Sequence, residues 1–114
     1  MEQIKEIISA LIEFRNERNW AQFHNPKDLA LALSIEAAEL NELFLWKKDE
    51  TDWQDVPIEK ISEELADVFA FAFLLADKYK LDVRNIVLEK IKKNGEKYPV
   101  DKSYNNATKY NRLG

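Results

Sequence analysis

Residues 65–76 read L-A-D-V-F-A-F-A-F-L-L-A, and Asp67 is the only charged residue in this stretch. A helix formed by these residues is apolar on nearly every face, and such a helix is normally buried. Burying an ionised carboxylate costs several kcal/mol unless the group is paired, protonated or bound to a cation. We therefore expect a compensating partner beside Asp67.

Glu36 also lies at a core position of a predicted helix, because it continues the apolar stripe formed by Leu33 and Leu40. Each of these two core acids has an acidic neighbour three residues away, and residues with this spacing are adjacent on a helix. Two such pairs on facing antiparallel helices bring four carboxylates to one point, as in metal-binding helix bundles. The pairs are Glu36 with Glu39, and Glu64 with Asp67.

Oxygen ligands of this kind suit a hard divalent cation, and magnesium typically combines one or a few carboxylates with substrate phosphates. We therefore predict Mg²⁺, with Mn²⁺ as an alternative. A di-iron site is disfavoured, because it needs a histidine three residues after a glutamate on two helices, and His24 is the only histidine. The acids could instead be a solvated helix face, which is how we interpret Glu42, Glu59, Glu63 and Glu89.

Composition narrows the function classes. The net charge of −4 comes without a basic face, so we expect no nucleic-acid partner. No apolar run approaches the ~18 residues of a membrane span, and no signal or transit peptide is visible, so we expect a cytoplasmic protein. Cysteine is absent, which excludes disulfides and thiolate catalysis. A phosphate-cradling glycine loop is also missing.

Apolar periodicity predicts an all-α fold, specifically a four-helix bundle, with no strand pattern. We expect helices over about residues 2–18, 26–47 and 57–80, and a fourth from 83 to about 94 or 95. Residues 1–100 are predicted to form one domain and residues 101–114 a polar surface tail. Four short helices cannot hide all of the apolar surface, which predicts a homo-oligomer.

Some aromatic and basic residues are candidates for substrate contact. Trp20 and Trp46 flank the helix that carries Glu36, and their rings could stack on a base or simply close the core. Basic and polar residues near the end of the fourth helix could hold phosphates or form a solvated helix terminus. These residues are Lys90, Asn94, Lys97 and Tyr98.

Three separated motifs together resemble one family. Residues 17–47 read E-R-N-W-A-Q-F-H-N-P-K-D-L-A-L-A-L-S-I-E-A-A-E-L-N-E-L-F-L-W-K, residues 63–68 read E-E-L-A-D-V, and residues 90–99 read K-I-K-K-N-G-E-K-Y-P. In this order they resemble the small all-α MazG-like nucleotide pyrophosphohydrolases, and more narrowly the branch that contains the eukaryotic dCTP pyrophosphatase. One departure is Gly95-Glu96, where that branch is basic.

The resemblance implies hydrolysis of a deoxynucleoside triphosphate, dCTP or a modified dCTP first, to monophosphate and pyrophosphate by a homodimer or homotetramer. It also implies magnesium ligands and a nucleotide pocket to which neighbouring chains can contribute. For the general base we expect Glu36 or Glu39, and the sequence does not choose between them. The implied ligands are Glu36, Glu39, Glu64 and Asp67, and the implied substrate contacts are Trp20, His24, Trp46, Asn94, Lys97 and Tyr98, with Lys90 as an extension. Alternatives are dUTP, dATP, a damaged nucleotide or phosphoribosyl-ATP as substrate, and a non-catalytic helical interaction module.

Overall fold

The computed structural model describes residues 2–105, and within this range the chain contains helices and no strand. The prediction of an all-α fold is therefore confirmed. A 3₁₀ helix, Trp20–Phe23, separates the first two α-helices. The α-helices are α1 Glu2–Glu17, α2 Pro26–Glu42, α3 Glu50–Gln54, α4 Ile58–Lys78, α5 Val83–Lys97 and α6 Val100–Ser103.

The chain divides after Leu81 into two compact units. In the first unit α2 packs most extensively against α4, and α1 packs against the same α4. The start of α2 follows the sequence signals closely. The Asn25 side chain accepts a hydrogen bond from the Asp28 N–H at 2.9 Å, and Pro26 occupies the first turn.

The end of α2 differs from the prediction. We expected the helix to reach about Lys47, but it ends at Glu42 and turns follow. Trp46 adopts a left-handed backbone with φ of 65°, a conformation that an α-helix does not contain. The polar link after it includes the short helix α3, which the sequence pattern did not predict. The Asp49 carboxylate caps α3 by accepting from the Asp52 N–H at 3.1 Å.

The expectation that α4 is buried on nearly every face is wrong for this chain by itself. Of residues 65–76, only Leu74 and Ala76 are buried, whereas 52% of Phe69 is exposed. The reason is geometric, because α2 covers one side of α4 and α1 covers the helix less extensively. Leu29 of α2 and Val56 complete the set of buried apolar residues within the described range.

In the second unit, the Asp82 carboxylate caps α5 by accepting from the Asn85 N–H at 2.9 Å, as predicted. The helix passes through Gly95 and ends at Lys97, beyond the expected end. A glycine inside a helix costs only ~1 kcal/mol, so it does not have to end one. Helix α6 occupies part of the predicted tail, whereas residues 106–114 lie outside the described residues.

No helix within residues 2–105 combines the length and the apolar character that crossing a membrane requires. The predicted domain boundary at residue 100 remains a prediction.

Candidate metal centre and adjoining cavity

Three carboxylates from α2 and α4 converge in the first unit. Glu36 extends from α2, and Glu64 and Asp67 extend from successive turns of α4. One oxygen from each residue lies within 4.8 Å of the other two. The arrangement follows from the packing of α2 on α4 and from the three-residue spacing of the two acids on α4. A single divalent cation could therefore bind all three side chains.

Glu39 joins this group from the flank of α2. Its carboxyl lies within hydrogen-bonding reach of both Glu36 and Glu64. The structure thus brings together the four acids that the sequence singled out, with Glu39 beside the three converging oxygens rather than among them. We refer to Glu36, Glu39, Glu64 and Asp67 as the acid cluster.

The surroundings of Glu36 and Glu64 make their ionised forms unfavourable. Burial raises the pKa of Glu36 to about 7, and hydrogen bonding to Glu39 and repulsion from the other acids act in the same direction. Burial and the same Glu39 neighbour also raise the pKa of Glu64. One carboxylate oxygen of each, Oε2, is buried without a hydrogen-bond partner among the residues that the structure describes. These oxygens call for a proton or a cation.

The expected depth of the site needs correction. Asp67 is exposed, and Glu36 and Glu64 are half-buried, so the cluster is not sealed in an apolar interior. The cause is the open side of α4, on which Asp67 lies next to partly exposed apolar residues such as Phe69. An open carboxylate cluster is accessible to a charged ligand as well as to a cation.

A cavity of about 290 Å³ adjoins the cluster, and Asp67 lines it. The other polar lining residues are Arg15 from the end of α1, Trp20 from the 3₁₀ helix and His24 just after it. Apolar side chains of α1 and α4 complete the wall. Because Asp67 belongs to both the cavity and the cluster, a molecule held in the cavity can reach the acids.

Trp20 is held by local contacts, and His24 is half-buried in the lining of the same cavity. The Trp20 ring packs edge-on against Phe14 at 5.9 Å between centroids, and the Arg18 guanidinium lies 3.6 Å from the Phe14 centroid. Burial lowers the pKa of His24, and the positive charges of Arg15 and Lys78 lower it further, so the imidazole is neutral at neutral pH. Its Nδ1 is buried without a hydrogen-bond partner in the described range.

Two residues differ from the sequence-based expectation in their placement. Trp46, predicted as a second stacking wall, is 84% exposed and does not line the cavity. Arg15 does line it, and the sequence analysis did not single it out. The available signal was its position four residues after Leu11, which puts a cation at the end of the apolar stripe of α1.

Similarity to known proteins identifies the family of this chain. The profile of the MazG-like family matches residues 31–113. The chain belongs to the MazG-like family. It is 41% identical over 105 residues to the dCTP pyrophosphatase 1 of Rattus norvegicus, and 38% identical over 105 residues to that of Homo sapiens. Each match covers 89% of this MazG-like chain but 62% of the relative's length.

A solved structure is similar across most of both chains. This is a pyrophosphatase from Archaeoglobus fulgidus DSM 4304, with a TM-score of 0.81 and 36% sequence identity. The match covers 85% of the MazG-like chain and 93% of the solved one. The family resemblance inferred from the three motifs is therefore confirmed, together with the all-α fold class.

The remaining candidates lie in the second unit. Lys90, Asn94 and Lys97 follow one face of α5, and Tyr98 comes directly after the helix. Their contact with a triphosphate or sugar stays a prediction. A Cβ atom placed on Gly95 would meet nothing within 4 Å, so a larger residue would fit where this chain departs from the dCTP branch.

Proposed function

We propose that this MazG-like chain is a magnesium-dependent nucleoside triphosphate pyrophosphohydrolase. Its substrate is a deoxynucleoside triphosphate, with dCTP or a modified dCTP as the preferred substrate. Its products are the monophosphate and pyrophosphate. The observation that carries the proposal is the convergence of Glu36, Glu64 and Asp67 oxygens within 4.8 Å. The names of the curated relatives and of the solved neighbour support the reaction class, although the chain spans 62% of the length of those relatives.

The residues present fit a hard divalent cation. Glu36 and Glu64 each bury an oxygen that has no hydrogen-bond partner among residues 2–105, and the pKa values of both side chains are raised by burial. Glu36, Glu64 and Asp67 would hold the ion, with Glu39 beside them. Magnesium fits best and manganese is an alternative, because both take oxygen ligands. When bound, the ion supplies Lewis-acid polarisation of the phosphate oxygens and a lower pKa for a water molecule.

The protein's own groups then position the reactants and move the proton. A water oxygen forms a bond to the α-phosphorus as the bond from that phosphorus to the bridging oxygen breaks, and pyrophosphate leaves. We assign the role of proton acceptor to Glu39, because its carboxyl lies beside the three converging oxygens rather than among them. The sequence alone left Glu36 and Glu39 as equal candidates for this role.

The base would occupy the cavity that Asp67 shares with the acid cluster. Trp20 offers a ring face for stacking and His24 offers a neutral imidazole. In the second unit, Lys90, Asn94, Lys97 and Tyr98 remain our candidates for phosphate and sugar contacts.

We further propose a homodimer or homotetramer that acts in the cytoplasm on free nucleotides, without nucleic acid or membrane. The exposed apolar side chains of the first unit support self-association, since patches of this kind mark interfaces. Phe69 and Ile7, for example, are 52% and 45% exposed and line one apolar groove. Trp46, at 84% exposure, is available to the site of a neighbouring chain.

The test is a panel of dCTP, dUTP, dATP and phosphoribosyl-ATP with magnesium, in which released pyrophosphate is measured for the wild type and for Glu39→Gln. We expect turnover of at least one triphosphate, and a loss of roughly 10²- to 10⁴-fold in Glu39→Gln, as for removal of a general base. The matched control is Glu42→Gln, the same change at an exposed position of the same helix. Absence of pyrophosphate with every substrate would favour the interaction module instead.

A further inference from the structure

Arg15 is a half-buried arginine whose donors are largely unused. Within residues 2–105 its side chain makes one hydrogen bond, a long one of 3.4 Å from Nε to Oδ1 of Asn16, and it forms no salt bridge. Arg18 differs, because it lies 3.8 Å from a Glu17 oxygen and rests on the Phe14 ring. The terminal nitrogens of Arg15 are therefore available to a ligand.

The surroundings of Arg15 suggest which kind of ligand. Its side chain lines the same cavity as Trp20 and His24, and its charge is near enough to His24 to lower the pKa of the imidazole. Because His24 is neutral at neutral pH, Arg15 is the formal cation of the described lining and Asp67 is the anion. A flat aromatic ring, a neutral imidazole and a guanidinium together suit a planar heterocycle with hydrogen-bond acceptors.

The shape of the guanidinium restricts the heterocycle further. It presents parallel donors in a fixed fork, which match two adjacent acceptors. Cytosine has such a pair in O2 and N3, whereas in uracil and thymine a protonated N3 separates the two carbonyl oxygens. The edges of adenine next to its amino group pair an acceptor with a donor. Guanine has an adjacent pair in O6 and N7, but it is a two-ring base.

The size of the cavity is compatible with one base. Its volume of about 290 Å³ is close to the lower bound of small-molecule sites, which run from ~300 to ~1,000 Å³. Either cytosine or guanine fits this volume, so the choice of cytosine follows from the proposed reaction with dCTP. The charge and the fork indicate a base with two adjacent acceptors.

We propose that Arg15 is a specificity-determining residue, whose guanidinium donates two hydrogen bonds to O2 and N3 of a cytosine ring that lies against Trp20. This proposal rests on the proposed function, which assigns the cavity to the base. It adds Arg15 as a contact residue and the O2–N3 edge of cytosine as the part of the base that Arg15 contacts. The ligand class is that of cytosine nucleotides.

The experiment measures calorimetric binding of dCMP, dUMP, dGMP and deoxyribose 5-phosphate to the full chain, none of which has a pyrophosphate to release. We expect the wild type to prefer dCMP over dUMP and dGMP. Arg15→Ala should reduce the preference for dCMP over dUMP by roughly 5- to 100-fold, the range for one bidentate contact to a base. Binding of deoxyribose 5-phosphate should not change.

Two further variants separate the fork from its charge. Arg15→Lys keeps the charge and the apolar stem but removes the paired donors, so it should also lose the preference for dCMP. It serves as the informative variant if Arg15→Ala does not fold. The control is Lys78→Ala, which removes another cation that lowers the pKa of His24 but does not line the cavity. It should retain the preference.

Three outcomes would overturn the proposal. These are an unchanged preference in Arg15→Lys, equal weakening of all four ligands including the one without a base, and no dCMP preference in the wild type. Pyrophosphate release from dCTP is measured on the same preparations. If pyrophosphate release is absent but the preference for dCMP is intact, the proposed reaction is overturned and the role of Arg15 is not. If pyrophosphate is released but the preference for dCMP is absent, only the role of Arg15 is overturned.

Discussion

The acid cluster and the adjoining cavity share Asp67 but are built in different ways. The cluster combines two short-range patterns, one on α2 and one on α4, and needs only that these helices pack together. The cavity draws its lining from α1, the 3₁₀ helix and α4, with no repeated spacing that links them. Chemistry that depends on spacing within a helix is therefore visible in the sequence, whereas the shape of a pocket made by three elements is not.

The largest effect is expected from replacing Glu36 in the acid cluster. Glu36→Gln should lower pyrophosphate release by roughly a hundredfold or more, because it removes a cation ligand. The same change should stabilise the metal-free protein at neutral pH and above, because an unfavourable charge disappears. Steady-state kinetics with magnesium and thermal unfolding in a chelator measure the two effects.

Opposite signs in those two measurements distinguish a site residue from a structural one. Loss of both activity and metal-free stability in Glu36→Gln would contradict the assignment. Glu59→Gln, at an exposed position in the first turn of α4, is the matched control and should leave release of pyrophosphate unchanged.

Leu29→Ala tests the buried packing of α2, the helix that carries Glu36 and Glu39. Leu29 is 2% exposed, on the helix that also carries Glu36. Truncating it should reduce the free energy of unfolding by about 2–5 kcal/mol, the usual cost of an emptied core position. Urea denaturation provides the measurement. Leu31→Ala is the control on the same helix, since 56% of Leu31 is exposed, and a cost as large as that of Leu29→Ala would contradict the observed packing.

The cavity is tested separately by Trp20→Ala. A lost stacking partner should weaken dCMP binding by about 1–3 kcal/mol without lowering the affinity for magnesium. Trp46→Ala is the comparison variant, because Trp46 does not line the cavity of its own chain. The base lies outside this cavity if Trp20→Ala has no effect on dCMP binding. The same conclusion holds with more force if Trp46→Ala then weakens dCMP binding at every protein concentration.

The sequence predicts the features that depend on spacing within one helix better than those that depend on the packing of several elements. The caps at Asn25 and Asp82 depend on residues close in sequence, and they form as predicted. The acid pairs also follow a local spacing, and three of the four acids converge, with Glu39 beside them. After Glu42 the N–H groups of Leu43, Phe44 and Leu45 bond to carbonyls three residues back, and a left-handed Trp46 follows. No apolar period reveals this change from α-helical bonding. The exposure of Asp67 depends on how much of α4 its neighbours cover, which is a tertiary property.

The smallest expected effect is the pH dependence of stability, which reports directly on the acid cluster. Glu36 has an ordinary pKa of 4.5 and a pKa of about 7 in the folded chain, so the native state keeps its proton when the unfolded state has lost it. Stability of the metal-free protein should therefore fall as pH rises from about 4.5 through about 7 and then level off. The raised pKa of Glu64 acts in the same direction.

His24 contributes the opposite slope. Its pKa in the folded chain is lowered below 6.5, so the unfolded state binds its proton more readily and stability rises with pH through that region. The measurement that isolates Glu36 is thus the difference in unfolding temperature between the wild type and Glu36→Gln, from about pH 5 to about pH 8 in a chelator. The difference should grow with pH, in favour of the variant.

Magnesium should reverse this trend, because a cation binds the deprotonated cluster and stabilises the state that repulsion disfavours. The unfolding temperature of the wild type should rise more on adding magnesium at about pH 8 than at about pH 5, and Glu36→Gln should lose most of that gain. An equal gain in both proteins would place the cation away from Glu36. The cavity would then have to be assigned without reference to the acids, since Asp67 is the residue that joins the two.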